Sequence, residues 1–336
     1  MKAYEVREAI GLDGLVLNRD RAEPTPAPDQ IFVRVHAASL NYRDFGVLRG
    51  IYGYTKFPLV PLSDGAGEVV RIGSAVTRFK PGDRVAGTYF QTWMSGAIPP
   101  DASKNSLGGN IDGMLAEYAV LPQQGAVAIP DHLSFEEAST LPVAALTAWN
   151  ALIESGRIKA GETVVILGTG GVSIFALQFA RMHSATVILT SSSDAKLERA
   201  KALGAAHLIN YRATPDWDRD ALALTGGVGA DHVVEVGGAG TLEKSMNAVR
   251  PGGTISVIGA VAGAGQINPR TINRKSLTLR GIHVGSREMF TAMNRAIARA
   301  GLRPVIDRVF AFEDAKAAFA HQSGGAHFGK VVIKVT

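Results

Sequence analysis

The pattern of apolar and polar residues changes character near the middle of the chain. Up to about residue 120, short runs in which apolar and polar residues alternate are separated by Pro and Gly, which is typical of β-strands joined by turns. The clearest runs are residues 31–36, 67–72 and 84–86. We therefore expect this half to form a small, β-rich barrel.

From residue 161 onward, continuous apolar strands alternate with helical segments. Residues 163–167 form the first such strand, and residues 172–182 follow with the small and apolar residues of a packed helix. Strands that alternate with helices predict a parallel sheet covered on both faces. Further strand-like segments are residues 186–189, 207–210, 231–236, 254–258 and 277–284. The predicted fold class is therefore α/β, with a doubly wound, six-stranded parallel sheet of the Rossmann type.

Composition and charge narrow the class. The 336 residues are 46% hydrophobic and 19% charged, which suits a chain of two packed domains. There is no cysteine, so disulfides, iron–sulfur clusters and Cys-bound zinc are excluded. The net charge of +5 comes from scattered basic residues that are not interleaved with aromatic ones, so we expect no nucleic-acid partner. The opening segment is strand-like and no apolar run approaches membrane-spanning length, which predicts a cytoplasmic protein with no membrane partner.

A glycine-rich turn directly follows the first strand of the predicted parallel sheet and opens its first helix. Glycine permits close approach of the backbone to a pyrophosphate, whose charge then meets free N–H groups at the helix start. The third glycine of the usual fingerprint is Ser173 here, which is small enough for close packing of helix on strand. The alternative is a plain strand-to-helix turn. The predicted phosphate-binding residues are Gly168, Thr169, Gly170, Gly171 and Val172.

A second glycine-rich turn, residues 235–240, follows a later strand. A nucleotide fingerprint belongs to the first strand-to-helix turn of such a sheet. We therefore interpret the second turn as a later loop, in which the backbone of Gly237 lines the nicotinamide ring of a cofactor.

The end of the second parallel strand discriminates between dinucleotides. An NAD site places an acidic side chain there, on the ribose hydroxyls. This chain has Ser191 and Ser192 instead, which leave room for a 2′-phosphate. Lys196 and Tyr211 can add charge and a hydrogen bond. NADPH is therefore the predicted cofactor and NADH the less favoured one; the alternative is that Asp194 is only a helix N-cap and Lys196 a surface lysine.

Several short segments occur in a recognisable order: residues 39–44, 50–53, 63–69, 82–85, 141–147, 168–173 and 329–332. With them, nearly the whole chain resembles the medium-chain dehydrogenase/reductase superfamily, in its zinc-free quinone oxidoreductase and enoyl reductase branch. The resemblance implies a GroES-like catalytic domain at residues 1–125 and 287–336, and a Rossmann domain at residues 126–286. It also implies a homodimer formed through the last Rossmann strand.

The zinc ligands of the metal-dependent members of this superfamily are missing. Those members take a Cys from the first of these segments and a His followed by Glu from the third. This chain has Asn41 in the first and Ser63-Asp64 in the third, so the resemblance implies no zinc. His36 and Asp64 form the one residual pair to consider, and a lone His beside a strand is more often structural.

Without a metal, fixed hydrogen-bond donors must stabilise the charge that develops on the substrate oxygen. By resemblance, Tyr52 matches the proton donor of similar enoyl reductases, and Asn41 matches a polar residue that lines similar quinone oxidoreductase sites. Arg43 is a third catalytic candidate. The alternatives are structural, because Asn41 and Asp44 have the spacing of a helix N-cap and its partner, with Gly50 ending the helix. Tyr52 also suits an aromatic residue resting on a turn.

Further cofactor contacts follow from the resemblance alone. Thr147 is expected near the nicotinamide. Gly259 and Val261 are expected to contact the cofactor after the fifth strand, and Gly285 after the sixth. Lys330 is expected to reach the cofactor, unless it only opens an exposed strand.

The leading functional hypothesis is an NADPH-dependent, metal-independent oxidoreductase that reduces a small quinone, enone or other activated carbonyl or alkene. Such acceptors delocalise the developing negative charge, whereas a simple aldehyde benefits more from zinc. One rival is a zinc-type alcohol dehydrogenase-like enzyme that acts on simple alcohols and aldehydes. The other is an NADPH-binding protein of low turnover, with a structural or RNA-binding role.

Overall fold

The computed structural model describes residues 1–53, 56–259 and 265–336. The chain divides into two compact units, Met1–Leu146 with Val284–Thr336, and Thr147–His283. The chain leaves the first unit after Leu146 and not after residue 125, because residues 126–128 form a strand that pairs within the first unit's sheet. It returns at Val284, slightly before residue 287. No described helix has the length and apolar character needed to cross a membrane.

The strands belong to separate sheets in the two units. Those from β8 to β13 lie in the second unit and the others in the first. In chain order they are β1 (Ala3–Val6), β2 (Leu15–Asn18), β3 (Gln30–Ser39), β4 (Asp64–Ile72), β5 (Arg84–Gly87), β6 (Tyr118–Pro122), β7 (Ala126–Ala128), β8 (Thr163–Leu167), β9 (Thr186–Ser191), β10 (His207–Asn210), β11 (Ala230–Glu235), β12 (Val249–Val257), β13 (Thr278–Gly281), β14 (Ile306–Ala311) and β15 (Lys330–Lys334).

The helices lie mainly in the second half of the chain. Two π-helical segments, Leu141–Ala145 and Asn150–Glu154, flank the short helix α3. In chain order the α-helices are α1 (Tyr42–Leu48), α2 (Phe135–Ser139), α3 (Leu146–Trp149), α4 (Gly171–Met182), α5 (Asp194–Ala202), α6 (Trp217–Leu224), α7 (Ala239–Ala248), α8 (Pro269–Lys275), α9 (Arg287–Ala300) and α10 (Ala315–Ser323).

The first unit is the β-rich part of the molecule, as predicted. Its main sheet has the order β14-β15-β3-β4-β5-β7, with β6 also paired to β3. All of these pairs are antiparallel except β14 with β15. The register places Ser39 of β3 opposite both Asp64 of β4 and Val332 of β15. The C-terminal strands therefore complete a sheet begun near the N-terminus and bring residue 330 close to the end of β3.

The second unit confirms the predicted Rossmann sheet. Its described strands have the order β10-β9-β8-β11-β12-β13 and pair in parallel throughout. The chain starts at the centre with β8, proceeds outward to β10, and then returns to place β11 on the other side of β8. In such sheets the point between the two central strands, at their carboxyl ends, is where ligands bind. The glycine-rich turn after β8 therefore lies at the switch point.

Several element ends differ from the sequence prediction. Strand β9 continues to Ser191 and β12 begins at Val249, because both have parallel partners at those residues. Strand β13 is shorter than residues 277–284, and it lies at the edge of the sheet with residues 278, 280 and 281 exposed. An edge strand has a partner on one side only, so less of it is held in register. Pairing of a second copy through this edge stays a prediction.

Candidate active site and cofactor site

The turn after β8 has the geometry of a phosphate-binding turn. Gly168 has φ +73°, in the left-handed region that favours glycine, and its N–H donates to Thr190 O at 2.9 Å. Gly170 is the N-cap of α4, with φ −76° and open space where a side chain would project. Ser173 is buried and its Oγ donates to Leu167 O at 2.7 Å. The serine therefore ties helix α4 to strand β8 where the usual fingerprint has a third glycine.

Three of the predicted 2′-phosphate residues, Ser191, Ser192 and Tyr211, lie at the ends of the neighbouring strands β9 and β10. The Tyr211 N–H donates to Ser191 O at 3.1 Å, and Ser191 Oγ accepts from Ser193 N–H at 3.3 Å. Ser191 is buried, whereas the Tyr211 side chain is exposed. Lys196 is half-buried on the adjoining helix α5, and Ser192 is half-buried beside Ser191.

Asp194 is not the N-cap of α5, in contrast to the alternative considered from the sequence. Ser193 holds that position, and α5 begins at Asp194. The Asp194 carboxylate instead accepts from Asn210 Nδ2 at 2.7 Å. This hydrogen bond links α5 to the end of β10. The side chains at the end of β9 are therefore still those of Ser191 and Ser192, with no acidic residue among them.

The N–H groups of the second glycine-rich turn bind a carboxylate of the protein itself. Glu235, at the end of β11, is fully buried, and its Oε1 accepts from Gly237 N–H at 2.7 Å, Gly238 N–H at 3.0 Å and Thr241 Oγ1 at 2.7 Å. Its Oε2 accepts from Ser245 Oγ. The carboxylate thus occupies the N-terminus of α7, where an external anion would otherwise bind. This turn is not a second phosphate site, and the Gly237 N–H is already used.

The remaining predicted cofactor contacts are glycines at close backbone approaches, a buried threonine and a valine. A Cβ on Gly259 would lie 1.8 Å from Val236 O, so only glycine allows the chain after β12 to pass the end of β11. A Cβ on Gly285 would lie 2.9 Å from Leu146 Cγ. Thr147 is buried. Val261 lies outside the described residues.

In the first unit, Asn41 begins helix α1 as predicted. Its N–H donates to Asp44 Oδ2 at 2.7 Å, which is the expected contact between an N-cap and the third residue of its helix. Asp44 Oδ1 accepts from Arg43 Nη1 at 3.0 Å. Gly50 follows the helix with φ +68°. Burial is the main cause that raises the pKa of Asp44 to about 6, against the attraction of Arg43.

Lys330 is neither exposed nor free, in contrast to both sequence interpretations. Its side chain is 3% exposed. Its Nζ donates to Leu40 O at 2.6 Å and to Asn41 Oδ1 at 2.7 Å, and it lies 3.5 Å from Asp64 Oδ2. An ammonium group has three hydrogens, and these acceptors match them. The predicted contact of Lys330 with the cofactor therefore has no donor left to make it.

Asp64 is the anionic partner in this buried cluster. It is fully buried, and its carboxylate accepts from Ser63 Oγ at 3.2 Å and from Ser39 Oγ at 3.5 Å. Burial raises the pKa of Asp64 and lowers the pKa of Lys330, while the attraction between the two charges opposes both shifts. We call Asn41, Asp64 and Lys330 the lysine cluster.

The lysine cluster does not suit zinc. At the positions of the Cys and His ligands of zinc-dependent relatives it has an amide and a hydroxyl, and its one carboxylate is paired with an ammonium group. Among the described residues no group of three or more His, Cys, Asp or Glu side chains is arranged to hold a metal ion. His36 stacks on Phe135 at 4.3 Å between ring centroids, and its Nδ1 lies 3.1 Å from Thr336 Oγ1, as in a structural histidine.

Tyr52 lies against helix α1. A Cβ on Gly46 would lie 2.3 Å from Tyr52 Cε2 and 3.0 Å from its hydroxyl, so the ring covers the helix at its glycine. The side chain is about half exposed. Arg43 extends elsewhere: its guanidinium lies 5.0 Å from the Tyr89 ring centroid and donates to Gly108 O at 3.3 Å. Of the three catalytic candidates, Tyr52 is the accessible one, Asn41 is buried beside Lys330, and Arg43 is held by α1 and its neighbours.

Comparison with known proteins agrees with this architecture. Residues 27–131 match the family model described as the alcohol dehydrogenase GroES-like domain, and residues 171–299 match the model described as zinc-binding dehydrogenase. A zinc-type alcohol dehydrogenase-like protein of Schizosaccharomyces pombe is 46% identical over 342 residues, which cover 99% of each chain. The 2-methylene-furan-3-one reductase of Solanum lycopersicum is 32% identical over 99% of this chain and 79% of its own. A quinone oxidoreductase of Pseudomonas syringae superposes with a TM-score of 0.85 at 28% identity, over 99% of each chain.

A GroES-like unit joined to a Rossmann unit, in a chain whose full-length relatives are dehydrogenases and reductases, defines an oxidoreductase. The Rossmann sheet and its phosphate-type turn indicate a nicotinamide dinucleotide as the cofactor. The chain belongs to the medium-chain dehydrogenase/reductase superfamily, which confirms the resemblance drawn from the sequence motifs.

Sequence reasoning missed the two buried acids that organise the sites. Glu235 could have been found, because an acid at the end of an apolar strand directly before a glycine turn is placed to cap the next helix. Asp64 was considered only with His36, and its real partner is Lys330. That pairing has no local signal, because it depends on which strands are neighbours in the sheet.

Replacing Gly170 with Ala tests the phosphate-binding turn. A Cβ there meets nothing within 4 Å and the backbone φ is ordinary, so we expect the free energy of unfolding to change by only a few tenths of a kcal/mol, or about 0.5 at most. Binding of NADPH and NADH should weaken at least about tenfold, or about 1.4 kcal/mol, because the methyl group occupies space that the pyrophosphate needs. Isothermal titration calorimetry and thermal unfolding measure the two effects.

The matched control is Gly168→Ala in the same turn. Its positive φ makes alanine strained, so this variant should lose about 1 kcal/mol of stability. Unchanged dinucleotide affinity in the Gly170 variant would remove the turn from the cofactor site.

Proposed function

We propose that this protein is an NADPH-dependent, metal-independent reductase of small quinones, enones or other activated carbonyls and alkenes. Asn41 and Tyr52 are the proposed donors to the substrate, and the turn at residues 168–172 with Ser191, Ser192, Lys196 and Tyr211 is the proposed cofactor site.

The lysine cluster is the observation that carries this proposal. Where zinc-dependent relatives have Cys and His ligands, the first unit has the amide of Asn41 and the hydroxyl of Ser63, and the adjacent Asp64 carboxylate is paired with the buried ammonium group of Lys330. Hydrogen-bond donors stabilise an oxyanion less strongly than a metal dication, so they suit acceptors that spread the charge. A quinone or an α,β-unsaturated carbonyl spreads it over a ring or an enolate, whereas a simple aldehyde concentrates it on one oxygen.

The names of similar proteins support the same substrate class. One relative is a 2-methylene-furan-3-one reductase and one similar structure is a quinone oxidoreductase. The yeast relative is called zinc-type and alcohol dehydrogenase-like. Since the residues of this chain do not suit zinc, we give more weight to the first two names.

In the proposed mechanism NADPH, when bound, supplies the hydride. The N–H groups at the start of α4 bind the pyrophosphate, and the residues at the ends of β9 and β10 bind the 2′-phosphate. The Asn41 amide donates a hydrogen bond to the substrate oxygen as negative charge develops there. Tyr52, which is accessible and rests on helix α1, donates the proton that completes the reduction.

The proposal is tested by mixing the purified protein with NADPH and a panel of quinones and enones while the absorbance of NADPH is followed. We expect turnover with members of both classes and little with simple aldehydes. Metal analysis of the active protein should find zinc well below one equivalent, and activity should survive chelation. Stoichiometric zinc with chelator-sensitive alcohol oxidation would establish the dehydrogenase alternative, and NADPH binding without turnover would establish the binding protein.

Cofactor preference is tested by Ser191→Asp. A carboxylate at the end of β9 repels a 2′-phosphate and accepts hydrogen bonds from ribose hydroxyls, so the ratio of kcat/KM for NADPH to that for NADH should fall at least about tenfold. Ser191→Ala is the matched control, because it removes the hydroxyl without adding charge and should keep the preference for NADPH. An unchanged ratio in the Asp variant would refute the assignment of this strand end.

The role of Tyr52 is tested by Tyr52→Phe. The ring keeps its packing on Gly46, but the proton donor is lost, so kcat should fall by about 10² to 10⁴ while NADPH affinity stays the same. Tyr42→Phe is the control, because Tyr42 lies on helix α1, against which Tyr52 packs, and is 62% exposed. Turnover at the wild-type rate in the Tyr52 variant would exclude it from proton transfer.

A further inference from the structure

We propose that Lys330 is a positioning residue for the reaction: its buried ammonium group holds Asn41 by the amide oxygen and polarises the amide, so that the NH₂ group faces the substrate oxygen as a strengthened donor. This inference rests on the proposed function and adds a residue that does not itself touch the substrate.

The contact with Lys330 fixes the orientation of the Asn41 side-chain amide. An amide presents an oxygen that accepts and a nitrogen that donates, and an ammonium group can only donate. Lys330 Nζ lies 2.7 Å from Asn41 Oδ1, so the oxygen must face the lysine. The other side of the amide is then the NH₂ group.

The Asn41 NH₂ group is the unused part of the lysine cluster. The Asn41 side chain is 8% exposed, and its Nδ2 has no partner at hydrogen-bond distance and angle among the described residues. The NH₂ group lies towards the Asp64 carboxylate and lowers the pKa of that carboxyl, but no hydrogen bond of normal distance and angle forms. An NH₂ group has two hydrogens, and a buried donor without a partner costs about 1–3 kcal/mol, so a substrate oxygen that accepts from it is stabilised.

The positive charge of Lys330 strengthens that donor. A charge on the oxygen side of an amide draws electron density from its nitrogen, and linked hydrogen bonds polarise one another inside a protein. The ammonium group is held by Leu40 O on one side and by Asp64 on another. Leu40 directly follows β3, the antiparallel partner of β15, and Asp64 begins β4, the strand on the other side of β3, so the order of the sheet fixes the lysine.

The test is a double-mutant cycle between Lys330 and Asn41, measured on kcat. Lys330→Met is combined with Asp64→Asn so that no buried carboxylate is left unpaired. We expect this pair of substitutions to lower kcat by about 10² and leave NADPH affinity unchanged, as expected for the loss of one oxyanion donor. In an Asn41→Ala background the same pair should cause little further loss, because the lysine acts through that amide.

Lys275→Met is the control for loss of a partly buried lysine that is hydrogen-bonded within the fold. Lys275 Nζ donates to three backbone acceptors, Met246 O, Asn247 O and Val249 O, and it belongs to the second unit, whereas Asn41 belongs to the first. This variant should lose stability and keep kcat. Lys330→Gln is the second variant if the Met/Asn pair does not fold, since glutamine retains a donor without the charge and should also lower kcat.

A pH profile of the unmodified enzyme gives an independent readout. Burial lowers the pKa of Lys330, so the ammonium loses its proton at lower pH than an exposed lysine. Asp64 and Asp44 are the charged groups that face it, and Asp44 is itself paired with Arg43. The kcat of the wild type should therefore fall on the alkaline side at a lower pH than that of Asn41→Ala, in which the charge of Lys330 has no amide through which to act on the substrate.

Two results would overturn the inference while leaving the proposed function intact. One is a folded Lys330 variant whose kcat lies within about twofold of the wild type, a difference of about 0.4 kcal/mol. The other is full additivity with Asn41→Ala, together with identical alkaline limbs in the two pH profiles. If the wild type reduces no quinone or enone, the proposed function itself fails.

Discussion

The first unit depends on one buried ion pair, between Lys330 at the start of β15 and Asp64 at the start of β4. Neither charge is tolerable alone in an apolar interior, where an unpaired ion costs several kcal/mol. Together, and with hydroxyl and carbonyl partners from Ser63 and Leu40, they are satisfied. The pair joins the C-terminal strand to the sheet and sets the amide of Asn41, so one interaction serves both the fold and the site.

The second unit uses two helix N-termini in opposite ways. Helix α4 begins at a turn with open space at Gly170, and the residues before it carry no acid, so its start is available to an external phosphate. Helix α7 follows a similar glycine-rich turn, but Glu235 fills its start with an internal carboxylate. The same backbone feature is therefore open to a ligand in one place and stabilises the fold in the other. A single acid at the end of the preceding strand makes the difference.

Sequence patterns correctly predicted the features that depend on residues close together in the chain. The apolar run of β8 and the glycines after it specified strand, turn and helix, and the spacing of Asn41 and Asp44 specified the start of α1. The long apolar strands likewise specified a parallel sheet. Each of these depends on residues a few positions apart, whose geometry is fixed by the backbone.

Features set by distant partners were not predictable in this way. Lys330 begins an apolar strand, and the sequence alone suggests an exposed side chain. The register of β15 on β3 and of β3 on β4 instead places Lys330 among buried acceptors. The pairing of β7 with β5, which keeps residues 126–128 in the sheet of the first unit, is likewise not visible in a three-residue strand. Both depend on sheet order, which no local window contains.

Membership of a superfamily determines the fold more closely than it determines the chemistry. The two units and their order are shared with relatives named for zinc and with relatives named for quinones. The choice between a metal and a hydrogen-bond donor depends on a few side chains at the ends of β3 and β4, and in this chain those side chains are bound to a lysine instead. Because an ammonium group is fixed by its three acceptors, it cannot exchange for a metal without unpairing Asp64. The proposed donor-based stabilisation rests on this cluster, and so does the proposed preference for substrates that disperse the developing charge.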